Sequence, residues 1–332
     1  MGDDTLNAAR WPDVAKGPFH EAWYVVASDP RNEQGLWLRY TADIGGERTF
    51  AVWASWFEKD RAFALRKLVD PAAIGRAALN DQGCSGEVEA GGHALRWRLS
   101  FGQGVAGEEF IPGWLRTPAM LRGSGYTLPH PATTITGVVE VDGRMIELQR
   151  VPAGQAHLWG KTRYPSWAWA RCSAFAEDPE ASIDLIDVEG PAGVRVPIFV
   201  FRFRGEVHRF AELPWIALCS SHLQAPSWHF SAQDARISID GVVHASPDRM
   251  VQVQYGSAHY CANTEIATME VRVRSRAMPG AAWRPEATLT SKSGACLEFC
   301  GRESDARVLN LLVTAAAAAQ QKEAASAGSV AS

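Results

Sequence analysis

No apolar run in the 332-residue sequence approaches the ~20 residues needed to cross a bilayer as a helix. The opening Met1-Gly2-Asp3-Asp4-Thr5-Leu6 lacks the basic start and apolar stretch of a secretory signal. Leu6 also stands where a myristoylation signal carries Ser or Thr. A basic excess is missing too: the formal net charge is −4 and the pI about 6.2, so no positive field is available to hold a phosphate backbone, and nucleic acid is not expected as a partner. GxSxG, P-loop and HExxH patterns are absent. Gly102-Gln103-Gly104-Val105-Ala106-Gly107 matches a dinucleotide loop only in part, with no helical pattern after it. The six cysteines (Cys84, Cys172, Cys219, Cys261, Cys296, Cys300) include no CxxC pair. Cys296 and Cys300 share a face if that segment is extended, but no His or Cys cluster completes a zinc site. All six read as buried thiols in a reducing compartment, and the expected location is cytoplasmic. No metal or cofactor is expected.

What the sequence has in quantity is strand and aromatic ring. Apolar residues make up 46% and charged residues 21%, the balance of a globular chain, with thirteen Trp and thirteen Phe against six Tyr. The rings either fill a Trp-rich β core or line a ligand cavity, since concave sites are mostly apolar and aromatic. Glu21–Ala27, Leu36–Thr41 and Thr49–Phe57 are β-rich runs about a dozen residues apart, with turns at Ser28–Asn32 and Asp43–Gly46. Gly86–Ala90 and His93–Phe101 continue the series. A Gly/Pro-rich excursion from Gly102 to Pro131 is too long for a plain connection and reads as a lid or a plug. Thr133–Val141 and Met145–Val151 form a hairpin over Asp142-Gly143.

The spacing restarts after Pro152-Ala153-Gly154. Strands are expected at Ser166–Phe175, Ala181–Val188, Val194–Arg204, Glu206–Glu212, Trp228–Gln233, Arg236–Ala245, Met250–Tyr255 and Glu265–Arg274. Leu289–Ser291 and Ala295–Cys300 close the series across Ser293-Gly294. The economical reading is all-β, two tandem lipocalin-like antiparallel barrels, because closure removes exposed edges. The expected units are 1–155 and 156–332. Ser304–Leu312 is read as a short amphipathic helix, followed by a frayed tail from about Gln320.

Candidate chemistry rests on polar residues in apolar strands. Alternation places Glu265 with Ala267, Met269, Val271 and Val273, so its carboxyl either leads into a cavity as a neutral acid or sits solvated at a strand mouth. Asp184 shares a face with Ile186 and Val188 but has acidic neighbours in sequence, the pattern of a surface. Trp167, Trp169 and Arg171 form a row that could line a pocket or stack as structure. Trp53 with Phe57 makes a comparable wall in the first half, and Trp37-Arg39-Thr41 puts a cation beside an aromatic. His157 either moves a proton or welds the junction through backbone bonds.

Gln155-Ala156-His157-Leu158-Trp159-Gly160 followed by Trp167-Ala168-Trp169-Ala170-Arg171 resembles the HxWG…WxW signature of the two-domain lipocalin-like hydratases and cyclases. That family takes in hydroxyneurosporene synthase (carotenoid 1,2-hydratase), tocopherol cyclase-like proteins and fungal decalin-forming Diels–Alderases. Leu36–Thr41, Ile135–Gly143, Cys261–Ala267 and Leu289–Phe299 are similar to it as well, so the resemblance spans about residues 18–302. It implies two calycin barrels, an interdomain or N-terminal apolar pocket, and no organic cofactor. Leu158 stands where the carotenoid hydratases tend to have Asn, so the resemblance does not carry their particular reaction.

The function read from this is a cofactor-independent hydratase (a carbon–oxygen lyase) or cyclase acting on an apolar isoprenoid or polyketide-like polyene. Glu265 or His157 would supply a proton, and Trp159, Trp167, Trp169 and Trp53 the walls. Tyr260 and Asn263 would orient substrate or water, with Arg39 or Arg171 as hydrogen-bond donor. The alternative is a lipid- or terpenoid-binding carrier without turnover. The expected partner is an apolar small molecule, with peripheral membrane contact a route for its pickup.

Overall fold

A computed structural model describes residues 5–13, 17–45, 48–74, 79–116, 124–161, 164–190, 193–255 and 259–314. The fold is all-β with a barrel-like strand arrangement. The first nine strands are β1 (Phe19–Asp29), β2 (Gln34–Ile44), β3 (Arg48–Glu58), β4 (Arg61–Leu68), β5 (Gly83–Ala90), β6 (His93–Phe101), β7 (Glu108–Glu109), β8 (Gly125–Val141) and β9 (Arg144–Gly160). They pair antiparallel in the order β4-β3-β2-β1-β9-β8-β6-β5, with β7 on the start of β8. The Asp142-Gly143 turn is as expected: both residues have positive φ, 50° and 82°, and Val141 faces Arg144 across it. β4 has no counterpart in the sequence reading.

The second series holds β10 (Trp167–Cys172), β11 (Ser182–Glu189), β12 (Arg195–Phe203), β13 (Glu206–Arg209), β14 (Ser220–Gln224), β15 (Ser227–Gln233), β16 (Ile237–His244), β17 (Val251–Tyr255), β18 (His259–Ser275) and β19 (Arg284–Gly301). Its order is β13-β12-β11-β10-β19-β18-β16-β15-β14, and β17 pairs with the first part of β18. β9 runs straight through residue 155, so the change of sheet falls between Gly160 and Trp167. Pro152-Ala153-Gly154 is consequently not a break but the middle of a strand, where Thr134 and Ala153 face Pro152 and Thr133 respectively.

Three expectations are corrected. Ser304–Leu312 is not a helix: Asn310–Thr314 is a strand, β20, lying parallel to β17 of one sheet and β4 of the other, where pairing two edges outweighs helix propensity. Ser293-Gly294 is not a turn but an irregularity inside the continuous β19, with Ser293 at φ 61°. The cysteines are not all free thiols, because Cys261 and Cys300 lie directly opposite on β18 and β19 and are joined as a disulfide. Of the other four, Cys84, Cys172 and Cys296 are buried and Cys219 half-buried. The disulfide removes the thiol-based argument for a reducing compartment. Among the described residues no helix is long and apolar enough to cross a membrane. The tail from Gln320 lies outside the described residues.

Many strands are buried on both faces, which the alternation explains. In β1, Trp23, Val25 and Ala27 fill the first barrel, while Tyr24 and Val26 point the other way. In β10, Ala168, Ala170 and Cys172 fill the second, while Trp167 and Trp169 point out of it. The outward faces of the two sheets meet in a third apolar cluster. Barrel interiors are therefore packed core, and the space between the sheets is left for a site.

Candidate active site

That space is a cavity of about 190 Å³ between the two sheets. Four indoles line it: Trp37 of β2, Trp159 of β9, and Trp167 and Trp169 of β10. Aliphatic side chains of β11 and β12, including Ile186 and Ile198, close the far wall. Phe110, Ile111 and Leu115, from the excursion expected to act as a lid or plug, cover part of it. Within that excursion Trp114 donates through Nε1 to the Ala211 carbonyl at 3.1 Å, fastening it to the turn that follows β13.

The polar groups reaching this wall are few. Glu298 points from β19 out of the second barrel, as its neighbours Leu297 and Phe299 point inward. It stands between Trp169 of β10 and Asn263 of β18. Trp167 Nε1 donates to Glu298 Oε1 at 2.6 Å. Burial pushes the Glu298 carboxyl above the ordinary carboxylate range; the Trp167 bond, the Arg39 charge and the Asn263 amide pull against this without cancelling it. Asn263 is fully buried and makes no hydrogen bond of normal geometry. Arg39 faces Tyr24 across β1 and β2 and lies with its guanidinium 4.2 Å from the centre of the Tyr255 ring. The Tyr24 and Tyr126 hydroxyls are hydrogen-bonded to each other, and burial raises both above the ordinary phenol value. Tyr24 meets Trp169 edge-on at 5.8 Å.

Of the residues singled out from the sequence, Arg39, Trp159, Trp167 and Trp169 come together here, with Asn263 behind Glu298. The others lie elsewhere. Glu265 is completely buried but does not line the cavity. A register shift after Thr264 turns Ala267, Met269, Val271 and Val273 into the barrel core, leaving Glu265 with Cys261 and Asn263 on the opposite face. Its carboxyl oxygens have no hydrogen-bond partner among the described residues. Burial raises it well above the usual range, against the adjoining Cys296 thiol.

His157 is buried and spent on structure. Nδ1 donates to the Leu6 carbonyl and Nε2 is hydrogen-bonded to Glu21 Oε1, both at 2.7 Å, and the ring stacks on Trp23. Glu21 in turn accepts the backbone N–H groups of Arg10 and Trp11. The weld reading of this histidine is the one the geometry favours.

Arg171 crosses from β10 over Gly154 of β9. There it donates to the carbonyls of Ala153 and Pro131 and lies 3.8 Å from Asp184. Asp184 is accordingly not surface but buried, and it also accepts from Arg202 at 2.7 Å. Trp53 bonds to Thr41 beneath the Arg66 guanidinium. Tyr260 lines a groove on the second sheet, from which Trp167 separates the cavity.

The tocopherol cyclase-like family profile matches residues 100–301. The chain belongs to this family. The matched span holds the tocopherol cyclase-like chain's Tyr126, Trp159, Trp167, Trp169 and Glu298, whereas Tyr24, Trp37 and Arg39 precede it. Among solved structures, CghA aligns with a TM-score of 0.56 at 9% identity, covering 92% of this chain and 93% of that one. Kievitone hydratase from Nectria haematococca aligns with a TM-score of 0.52 at 8% identity, covering 92% and 96%. At such identities the likeness is one of fold. Comparison with curated protein sequences finds no match. The residues missed in sequence are Glu298, Tyr24 and Tyr126, while Trp37 was noted there only as the neighbour of Arg39. Glu298 carries the signal that selected Glu265, a lone carboxylate in the apolar run Ala295–Cys300.

Proposed function

We propose that this tocopherol cyclase-like protein is a cofactor-independent hydratase or cyclase acting on an isoprenoid or polyketide-like polyene, with Glu298 as its proton donor. The observation that carries this is a carboxyl with raised pKa, hydrogen-bonded to Trp167, in a cavity walled by four indoles. Trp167 occupies Oε1, leaving the other oxygen to carry the proton. Transfer of that proton to an alkene carbon makes a carbocation and a carboxylate. Indole faces stabilise such a cation by about 2 kcal/mol when desolvated. Capture by water, which returns its proton to the carboxylate, gives hydration; capture by a hydroxyl or alkene of the same molecule, followed by return of a proton to the carboxylate, gives a ring of unchanged mass.

The test is turnover of a panel of linear polyenes, followed by mass spectrometry for gain of water or for isomers of unchanged mass. Glu298→Gln keeps the size and the Trp167 bond but removes the proton. Turnover is expected to fall about 10²–10⁴-fold, with ligand binding retained. Activity of the unaltered enzyme should also fall as pH rises through the raised Glu298 pKa, since only the protonated form donates. Undiminished turnover by Glu298→Gln would overturn the assignment, and binding of the whole panel without conversion would favour the carrier.

A further inference from the structure

The cavity holds a positive charge that makes no direct ion pair, although Glu298 and Asp43 lie near enough to favour its charged form. Arg39 is 7% exposed, its Nε has no partner, and no described residue forms an ion pair or hydrogen bond with its guanidinium. Other buried guanidinium groups in this molecule are treated differently. Arg202 is paired to Asp184 and Glu108, and Arg171 lies against Asp184 and donates to two carbonyls. Burial disfavours the Arg39 charge and the surrounding Tyr255, Glu298, Asp43 and Tyr24 sustain it, yet the buried Nε–H is left without a hydrogen-bond partner, which is costly. The acid that shares the cavity, Glu298, lies near enough to favour the Arg39 charge but forms no ion pair or hydrogen bond with it.

We propose that Arg39 is an anion-binding subsite, and that the ligand is an amphiphile whose apolar chain lies along the indoles and ends in one anionic oxygen group, a carboxylate or acidic enol. This rests on the cavity being a site for an apolar ligand, as argued above. Tyr24, opposite Arg39, supports it. In the Tyr24–Tyr126 pair one hydroxyl donates to the other, and the acceptor's own hydrogen is left for a second ligand oxygen. Two functions then follow from one contact. A bound anion fixes which alkene stands by Glu298. It also offsets the Arg39 field that pulls on the Glu298 proton, so a seated head group holds that carboxyl still more firmly in its protonated form.

Indole fluorescence can read the test directly, by titrating geranylgeranoic acid and geranylgeraniol, which share a chain and differ in head group, at about pH 8 where the free acid is ionised. The acid is expected to bind about tenfold tighter or more. In Arg39→Gln that ratio should fall to near one, with alcohol affinity little changed. The ligand-free Arg39→Gln variant should melt no lower than the unaltered protein, whereas loss of a structural arginine would lower its Tm. Equal binding of the two ligands, or an acid preference that survives Arg39→Gln, would overturn the anion subsite alone and leave the Glu298 chemistry standing. Failure of both ligands to bind the unaltered protein would overturn the apolar-ligand reading and this inference with it.

Discussion

Two carboxyls, Glu265 and Glu298, are buried on one face of neighbouring strands, and the Glu298 charge disfavours the ionisation of Glu265. They differ in what they meet: Glu298 has the Trp167 N–H and the cavity, whereas Glu265 has neither. A carboxyl whose folded pKa is raised binds its proton more tightly in the native state. Its favourable contribution is therefore whole below the unfolded value near 4.5 and is lost as pH rises through the folded one. Glu265→Gln should melt with the unaltered protein near pH 4.5 and above it at higher pH, the gap widening up to the folded pKa. Parallel Tm–pH curves for the two proteins would contradict this. Which carboxyl faces the cavity was not legible in the sequence. Strict alternation assigned Glu265 to an apolar face, and only the irregularity after Thr264 moves it off; such irregularities leave no composition signal in a run of Ala, Thr and Ile. The indoles were legible, because Trp167 and Trp169 share a face at period two whatever the register.

Strands themselves were read well where a turn residue marks both ends, as at Asp142-Gly143, and poorly where a strand bends without ending. Ser293-Gly294 has the composition of a turn, yet β19 continues through it, because the extra residue there is absorbed as a kink and not as a reversal. This continuity lets β19 carry Glu298 between β10 and β18 and present Cys300 to Cys261. The disulfide closes a loop of 39 residues, worth about 4 kcal/mol on the chain-entropy account. Reduction is expected to lower Tm by several degrees, while a Cys261→Ser/Cys300→Ser double variant should melt at one temperature with or without reductant. A Tm that ignores reductant in the unaltered protein would count against a stabilising role.

For the molecule as a whole, the junction between sheets is the feature least visible in sequence, since it is made by residues far apart along the chain. The restart of strand spacing after Pro152-Ala153-Gly154 pointed to a boundary there. The glycine of that segment is instead the place where a side chain of the second sheet crosses the first: a Cβ on Gly154 would stand 1.4 Å from Arg171 Nη1. Gly154→Ala must therefore expel the guanidinium from the Ala153 and Pro131 carbonyls. The expected loss, measured by denaturant unfolding, is about 3 kcal/mol or more, as for breaking a buried ionic contact. Combined with Arg171→Met, the two costs should not add, because both remove the same contact. A neutral Gly154→Ala would show that Arg171 is not held there. The strand β20 binds the same two halves from the other end, lying between β4 and β17. A ribosome delivers this chain from its first residue onward, so the edge of β4 is made long before the segment that covers it. Throughout that interval Tyr24, Trp37 and Arg39 exist without the strands that will face them. Order of synthesis thus makes the half-built pocket an exposed, sticky surface on the nascent chain, and its completion one of the last events in the birth of the protein.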